Sequence, residues 1–324
     1  MPKLVTWALA LTLLIGFGSS VTAADVGLDR VHFLIPAGPG GGWDGTARGV
    51  GLALDQTQLV SNVTYENAAG GGGGRAIAKL IETADRQQNT LLISSTPIIV
   101  RALQGVFPQS FRDLTPIAAM IADYSCFAVR ADSEIQNFSD LAKRYKADAK
   151  SIIVAGGSVR GNTDHFVLAK ALQLAGADPK KLIYLAYDGG GKAAAGLLSG
   201  ETQVLSTGLS EALQMHQAGL LRIIAVTAPS PMPHLFDLPL LNAQGIDLVF
   251  ANWRGFFAAK GLGDAQYVRM RHTLRTVSET AVFEDIRLRN GWAENYIEGD
   301  AFYAFLTQQE EQIRSLMQSI GYLR

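Results

Sequence analysis

The sequence predicts an α/β protein made of two sheet units that face each other across a cleft. Three observations carry that expectation. Strand-like apolar runs alternate with helix-like runs along most of the chain. Glycine-rich turns recur at the carboxyl ends of successive strands, where open α/β sheets hold ligands. The strand–turn–helix pattern also starts twice, at VHFLI (31–35) and again at SIIVAGGS (151–158). With 324 residues, 48% hydrophobic and 18% charged, the chain can bury one large core or two ordinary ones.

The first residues differ from the rest. Lys3 precedes an uncharged apolar run, Leu4 to Phe17, and Val21-Thr22-Ala23-Ala24 offers small residues for cleavage after Ala23 or Ala24. This pattern predicts a secretory signal peptide over residues 1–24. The run is short for a membrane span, which takes about 20 apolar residues. The mature protein is therefore expected outside the cytoplasm.

The first unit reads β-α-β-α-β. VHFLI leads into PAGPGGGWDGTAR (36–48) and a helix from about Asp44 through Leu54. NVTYEN (62–67) ends in a run of five glycines, with a helix from Arg75 to Thr83. TLLISS (90–95) precedes Thr96-Pro97 and another helix. A strand is expected near Cys126–Val129, then a helix capped by Ser139. SIIVAGGS restarts the pattern, followed by a helix over 162–176. LIYLAY (182–187) runs into Asp188-GGG and a helix through Leu198, with QVLSTG and RIIAVTA as further strands. Pro229 to Pro239 suits neither helix nor central strand. WRGFFAA gives one more strand, and two amphipathic helices are expected to close the chain. The last carries an apolar stripe of Phe302, Phe305, Leu306, Ile313, Leu316 and Ile320. Arg269, Arg271 and Arg275 are assigned to the solvated face of the preceding helix.

Composition excludes several functions. The net charge of −1, from 28 basic and 29 acidic residues, gives no footprint for nucleic acid. Cys126 is the single cysteine, so no internal disulfide forms, and within SCFAV it reads as a small buried hydrophobe. The five histidines show no metal-ligand spacing, so no metal is expected. Gly40, Gly42 and Gly45 do satisfy the dinucleotide pattern G-x-G-x-x-G, with Glu66 about 20 residues on. Pro39 and Trp43 crowd that turn, however, and the glycines recur where the fingerprint needs one turn only. Lys192 in DGGGKAAAG fails the P-loop pattern, and Arg160 breaks G-x-S-x-G around Ser158. No catalytic residue is assigned.

What remains is anion capture. Main-chain amides of Gly41, Gly42 and Gly157 are placed to converge on a carboxylate, helped by helix N-termini. Ser94, Ser95, Thr96, Ser158 and Thr163 supply short hydroxyl donors, and Arg160, Lys192 and Arg254 are the candidate cations.

In this order and spacing, PAGPGGGWDGTAR, YENAAGGGG, IIVAGGSVRGNTDHF, YLAYDGGGKAAAGLLSGETQVLSTGLSEAL, RIIAVTA and NWRGFF resemble a known family. They are similar to the extracytoplasmic solute receptors of tripartite tricarboxylate transporters, the TctC/Bug-type substrate-binding proteins. The resemblance spans nearly the whole mature chain. It implies a two-lobed periplasmic binding protein fold (type II-like), each lobe a mainly parallel sheet flanked by helices. Residues 25–125 and 251–324 would form lobe 1, and 126–250 lobe 2. It implies no catalysis and no cofactor. The carboxylate of the ligand would be held by Pro39, Gly40, Gly41, Gly42, Trp43 and Asp44 from one lobe. Gly157, Ser158, Arg160, Gly161, Asn162 and Thr163 would hold it from the other. Ser94, Ser95, Thr96, Tyr187, Gly189, Gly190, Thr207, Ser210 and Arg254 would line the remainder. Arg160 stands where many relatives carry a small residue and suggests an extra positive contact. The expected protein is thus a monomeric periplasmic receptor for a citrate-like di- or tricarboxylate, partnered by integral membrane permease subunits and by no nucleic acid. A dinucleotide-dependent exported enzyme and a sensing subunit for a membrane signalling partner are the alternative classes.

Overall fold

The computed structural model describes residues 27–323. The expected signal peptide lies outside them.

The alternating pattern folds as expected over most of its length. Arg30–Ile35 (β1), Asn62–Asn67 (β2) and Thr90–Ser95 (β3) are strands, and Gly42–Gln56 (α1), Gly74–Glu82 (α2) and Pro97–Leu103 (α3) are the helices that follow them. Then comes Leu114–Arg130 (β4), 17 residues long. Only its last part, around Cys126, was legible as a strand. Phe138–Ala147 (α4) follows, capped by Asn137 rather than Ser139. The Asn137 side chain accepts from the Asp140 N–H at 2.8 Å, two residues earlier than the sequence suggests.

The second unit comprises Ile153–Gly156 (β5), Thr163–Leu174 (α5), Ile183–Ala186 (β6), Gly190–Leu198 (α6), Val204–Gly208 (β7), Leu209–Gln217 (α7) and Leu221–Val226 (β8). Ala251–Ala259 (β9) returns to the first unit. The closing region is richer than two helices. Asp264–Ser278 (α8), Ala281–Arg289 (α9) and Gly299–Ser319 (α10) enclose one more strand, Ala293–Glu298 (β10). The sequence reading missed β10 because AENYIE lacks an apolar run; its residues are at most half-buried. The three arginines of α8 are partly exposed, as expected, and are paired at the surface: Arg271 and Arg275 with Glu298, and Arg269 with the Gly27 carbonyl at 2.8 Å.

The strand order is β2-β1-β3-β9-β4-β7-β5-β6, with β8 and β10 also paired to β4. Parallel pairs lie towards the outside of each half, β2-β1-β3 in one and β7-β5-β6 in the other. The strands between them, β9 and β4, pair antiparallel. Strand β4 serves both halves. Its first part, Leu114–Tyr124, pairs with β9; its end, Ser125–Arg130, pairs with β7 and β8.

Side chains that alternate along a strand point to opposite faces of the sheet. Phe33, Ile35, Leu91 and Ile93 accordingly join Val50, Leu54, Met270 and Phe283 in one apolar cluster, while Leu34 and Leu92 join Ile77, Leu80, Phe302 and Leu306 in another. The first half is therefore covered on both faces, which explains why β3 is buried throughout. The second half repeats the arrangement. Val154 and Val204 face the cluster shared with α10, and Ala155 and Leu205 face α6 and α7. Cys126 lies buried in this last group, as a small hydrophobe.

The apolar stripe of α10 packs as expected. Phe302 meets Trp253 edge-on at 5.6 Å between ring centroids and Phe257 at 5.5 Å. At its far end the helix reaches α5 of the second half. Gln173 Nε2 donates to the Ser319 carbonyl at 2.8 Å, and Tyr322 Oη lies 2.9 Å from His165 Nε2.

Phe302 is fully buried in contact with three other aromatic rings, those of Trp253, Phe257 and Phe305. Phe302→Ala is expected to lower unfolding free energy by about 3–5 kcal/mol, the usual cost of emptying such a site, as read by urea denaturation.

Candidate functional site

The turns after β1, β2, β3, β5 and β6 all open on one cavity of about 370 Å³. Both halves contribute to it. The first supplies Gly41, Gly42, Trp43 and Ser95; the second supplies Gly157, Ser158, Asn162, Thr163, Tyr187 and Gly189. Arg254, from β9, completes the expected residues that line it.

Two glycines are dictated by close approach. A β-carbon on Gly157 would run into the main chain of Gly189 and Gly190, so the turns after β5 and β6 pack backbone to backbone. A β-carbon on Gly42 would strike the Arg254 guanidinium.

The other predicted residues stand behind the lining. Pro39 and Gly40 lie in the turn that Asp44 braces. Its carboxylate accepts from Gly40 N–H, Arg48 Nε and Asn67 Nδ2, each at 2.9 Å. Burial pushes the Asp44 carboxyl up, and these hydrogen bonds outweigh it and hold it below the usual range. Ser94 and Thr96 are buried at the end of β3. Ser95 accepts from Trp43 Nε1 at 2.9 Å and so fixes the indole. Thr207 and Gly190 both bond to Glu211, and Ser210 Oγ donates to Asp123 at 2.6 Å.

Arg160 and Gly161 face elsewhere. With Gln104, His165, Lys180 and Tyr322 they line a second cavity of about 260 Å³. Gly161 N–H donates to His165 Nδ1, which turns that end of the turn away from the larger cavity. Lys192 is exposed and sits 3.4 Å from Asp188.

Arg254 does line the cavity, but its charge is already matched. Nη2 lies 2.7 Å from Asp123 Oδ2, and both side chains are buried. Burial pushes the Asp123 carboxyl up, against the pull of Arg254. Breaking such a pair leaves one buried charge without a partner, at a cost of about 3–5 kcal/mol.

The sequence reading singled out neither Asp164, Glu211 nor Asn252, and it included Asp188 only as part of the turn after LIYLAY. Asp164, Asp188, Glu211 and Asn252 all line the cavity. So do Gly70, Gly71 and Gly72, whose five-glycine run was the available signal. Glu211 carries the most contacts. Its Oε1 accepts from Gly42 N–H at 2.8 Å and Gly190 N–H at 3.1 Å, and its Oε2 accepts from Thr207 Oγ1 at 2.7 Å. Asp164 accepts from Ser158 N–H at 2.9 Å and returns its own N–H to Ser158 Oγ. Burial, with the Glu211 charge added, pushes Asp164 up to about 7.

The dinucleotide geometry is not met. Glu66 pairs with Lys79 at 2.5 Å and lies near His32, and it is absent from the lining. The Gly42 amide, which a pyrophosphate would need, is bonded to Glu211.

Comparison with known proteins agrees with this architecture. Residues 47–322 match the family described as "Tripartite tricarboxylate transporter family receptor". The chain belongs to that family. Protein BugT of Bordetella pertussis is 26% identical over 277 residues, 83% of this chain and 82% of BugT. The structure of the periplasmic binding protein BugD superposes with a TM-score of 0.79 at 21% identity, covering 91% of this receptor and 98% of BugD. MatC of Rhodopseudomonas palustris, solved with bound malate, gives 0.78 at 18% identity, covering 90% of this chain and 99% of MatC. The fold is that of the two-lobed periplasmic binding proteins, and the family is one of solute receptors.

Asp164 keeps its proton in the folded receptor to about pH 7, whereas its ordinary value is 3.8. At this one group the folded state thus binds more protons across that interval, and the contribution of Asp164 to stability falls as pH rises from about 4 to about 7. Asp164→Asn is expected to flatten that fall, as followed by thermal melts at pH 4.5, 6 and 7.5. A second substitution tests the packed turns: Gly157→Ala should force them apart and cost at least about tenfold in ligand affinity with the fold retained by circular dichroism.

Proposed function

We propose that this receptor acts in the periplasm, exported by its cleaved N-terminal segment. There it closes its two lobes on a small organic di- or tricarboxylate of the citrate class. It then delivers the acid to the permease subunits of a tripartite tricarboxylate transporter. The lobes are residues 25–125 with 251–324, and 126–250. The reading assigns it no catalysis of its own.

One observation carries this reading: glycine turns from both halves meet around a single cavity at the carboxyl ends of their strands. Helices α1, α5 and α6 all start there, and their first-turn N–H groups favour negative charge. Asn252 Oδ1 accepts from Thr96 N–H at 3.2 Å, which leaves its Nδ2 as a donor toward the cavity. Gly41, Gly42, Trp43, Ser95, Gly157, Ser158, Asn162, Thr163, Tyr187, Gly189 and Arg254 are proposed as the ligand surroundings. Malate bound to MatC supports an organic acid as ligand. Closure excludes water, so each N–H···carboxylate bond strengthens in the lower dielectric. The ligand shifts the open–closed balance only as far as it binds the closed form better.

A thermal-shift screen of malate, succinate, citrate and NAD tests the reading. An acid at 100 times its dissociation constant should stabilise the protein by about 2.7 kcal/mol, with no response to NAD. Indifference to every acid, with or without a rise in Tm on adding NAD, would overturn the di- or tricarboxylate reading.

A further inference from the structure

Glu211 stands on α7 in the second half, yet its carboxylate reaches the first turn of α1 in the first. It accepts from Gly42 N–H, Gly190 N–H and Thr207 Oγ1, and from Gly208 N–H at 3.3 Å. A carboxylate offers about four lone-pair sites, so all of them are in use. Gly42 and Gly190 open two helices, and amides in that position are where a small anion is gripped. A carboxylate of the protein is already there.

The charges nearby give this arrangement a consequence. Asp188 lines the same cavity, as does Asp164, which burial keeps protonated to about pH 7. Asp188 has Lys192 beside it, and Arg254, the one cation among the described lining residues, is spent on Asp123. The charge of Glu211 is met by main-chain amides and a hydroxyl, with no cation left to answer a ligand's third carboxylate. In a space closed to water, like charges repel far more strongly than in bulk solvent.

We propose that Glu211 fills the anion cradle between the two halves with its own carboxylate and so sets the charge of the ligand, admitting an organic dicarboxylate and turning away a tricarboxylate. The proposal rests on the receptor reading and narrows it.

Two variants test it. Glu211→Gln keeps Oε1 for Gly42 and Gly190 and removes the charge; Glu211→Ala empties the cradle. Calorimetry with succinate and citrate should show that the unaltered receptor prefers succinate. Glu211→Gln should shrink that preference at least about tenfold, since a like-charge contact in an interface costs several kcal/mol. Acetate, compared with chloride at equal ionic strength, should raise the Tm of Glu211→Ala and leave the unaltered protein unmoved. A preference for citrate in the unaltered receptor, an unchanged ratio in Glu211→Gln, or a folded Glu211→Ala indifferent to acetate would each overturn the proposal. If the unaltered protein binds neither acid, the di- or tricarboxylate reading falls, and the acetate measurement still decides the role of Glu211.

Discussion

The two halves depend on one shared strand. Because β4 pairs with β9 and β10 along its first part and with β7 and β8 along its last, neither half-sheet is complete without it. Its alternation also divides the core. Phe127 and Val129 go to the cluster shared with α4, α5 and α10, and Cys126 and Ala128 go to the one beneath α6 and α7. A one-residue slip in its pairing would exchange these faces in both halves at once. The placement of the glycine turns around one cavity follows from that register.

Most of the strand–turn–helix pattern was legible because each element carried its own period. NVTYEN and TLLISS match their strands to the residue. The failures have physical causes. The early part of β4 reads LTPIAAMIADY, a continuous run buried on both faces, so no alternation marks it as a strand. Strand β10 is half-buried and polar and exists through its pairing with β4, a partner some 170 positions away. The cap at Asn137 rather than Ser139 turns on which side-chain oxygen reaches the Asp140 amide, a matter of two residues.

The site was legible in its glycines and opaque in its charges. The turns at Gly41–Gly42, Gly157–Ser158 and Gly189 do converge. Their composition pointed to main-chain donors, and donors at helix starts need no long-range information. The side chains do. Arg254 looked like a free cation, but its partner Asp123 lies 131 positions away on the crossing strand. Glu211 carried no signal of its own in the sequence, and only the folded chain brings it to Gly42, 169 positions distant. Arg160 follows the same turn as Ser158 yet faces the second cavity, because the His165 ring captures the Gly161 amide. Long-range pairing, not residue type, decides what each charged group is for.

The end of α10 has a mechanical meaning. Its aromatic stripe is anchored against Trp253 and Phe257, while its final turn is bonded through Ser319 and Tyr322 to α5 of the opposite half. The chain itself crosses between the halves along β4 and again before β9. The helix end adds a third strut away from those crossings, and three supports define a plane where two define only a line. Relative movement of the two halves would either pivot about these two bonds or break them.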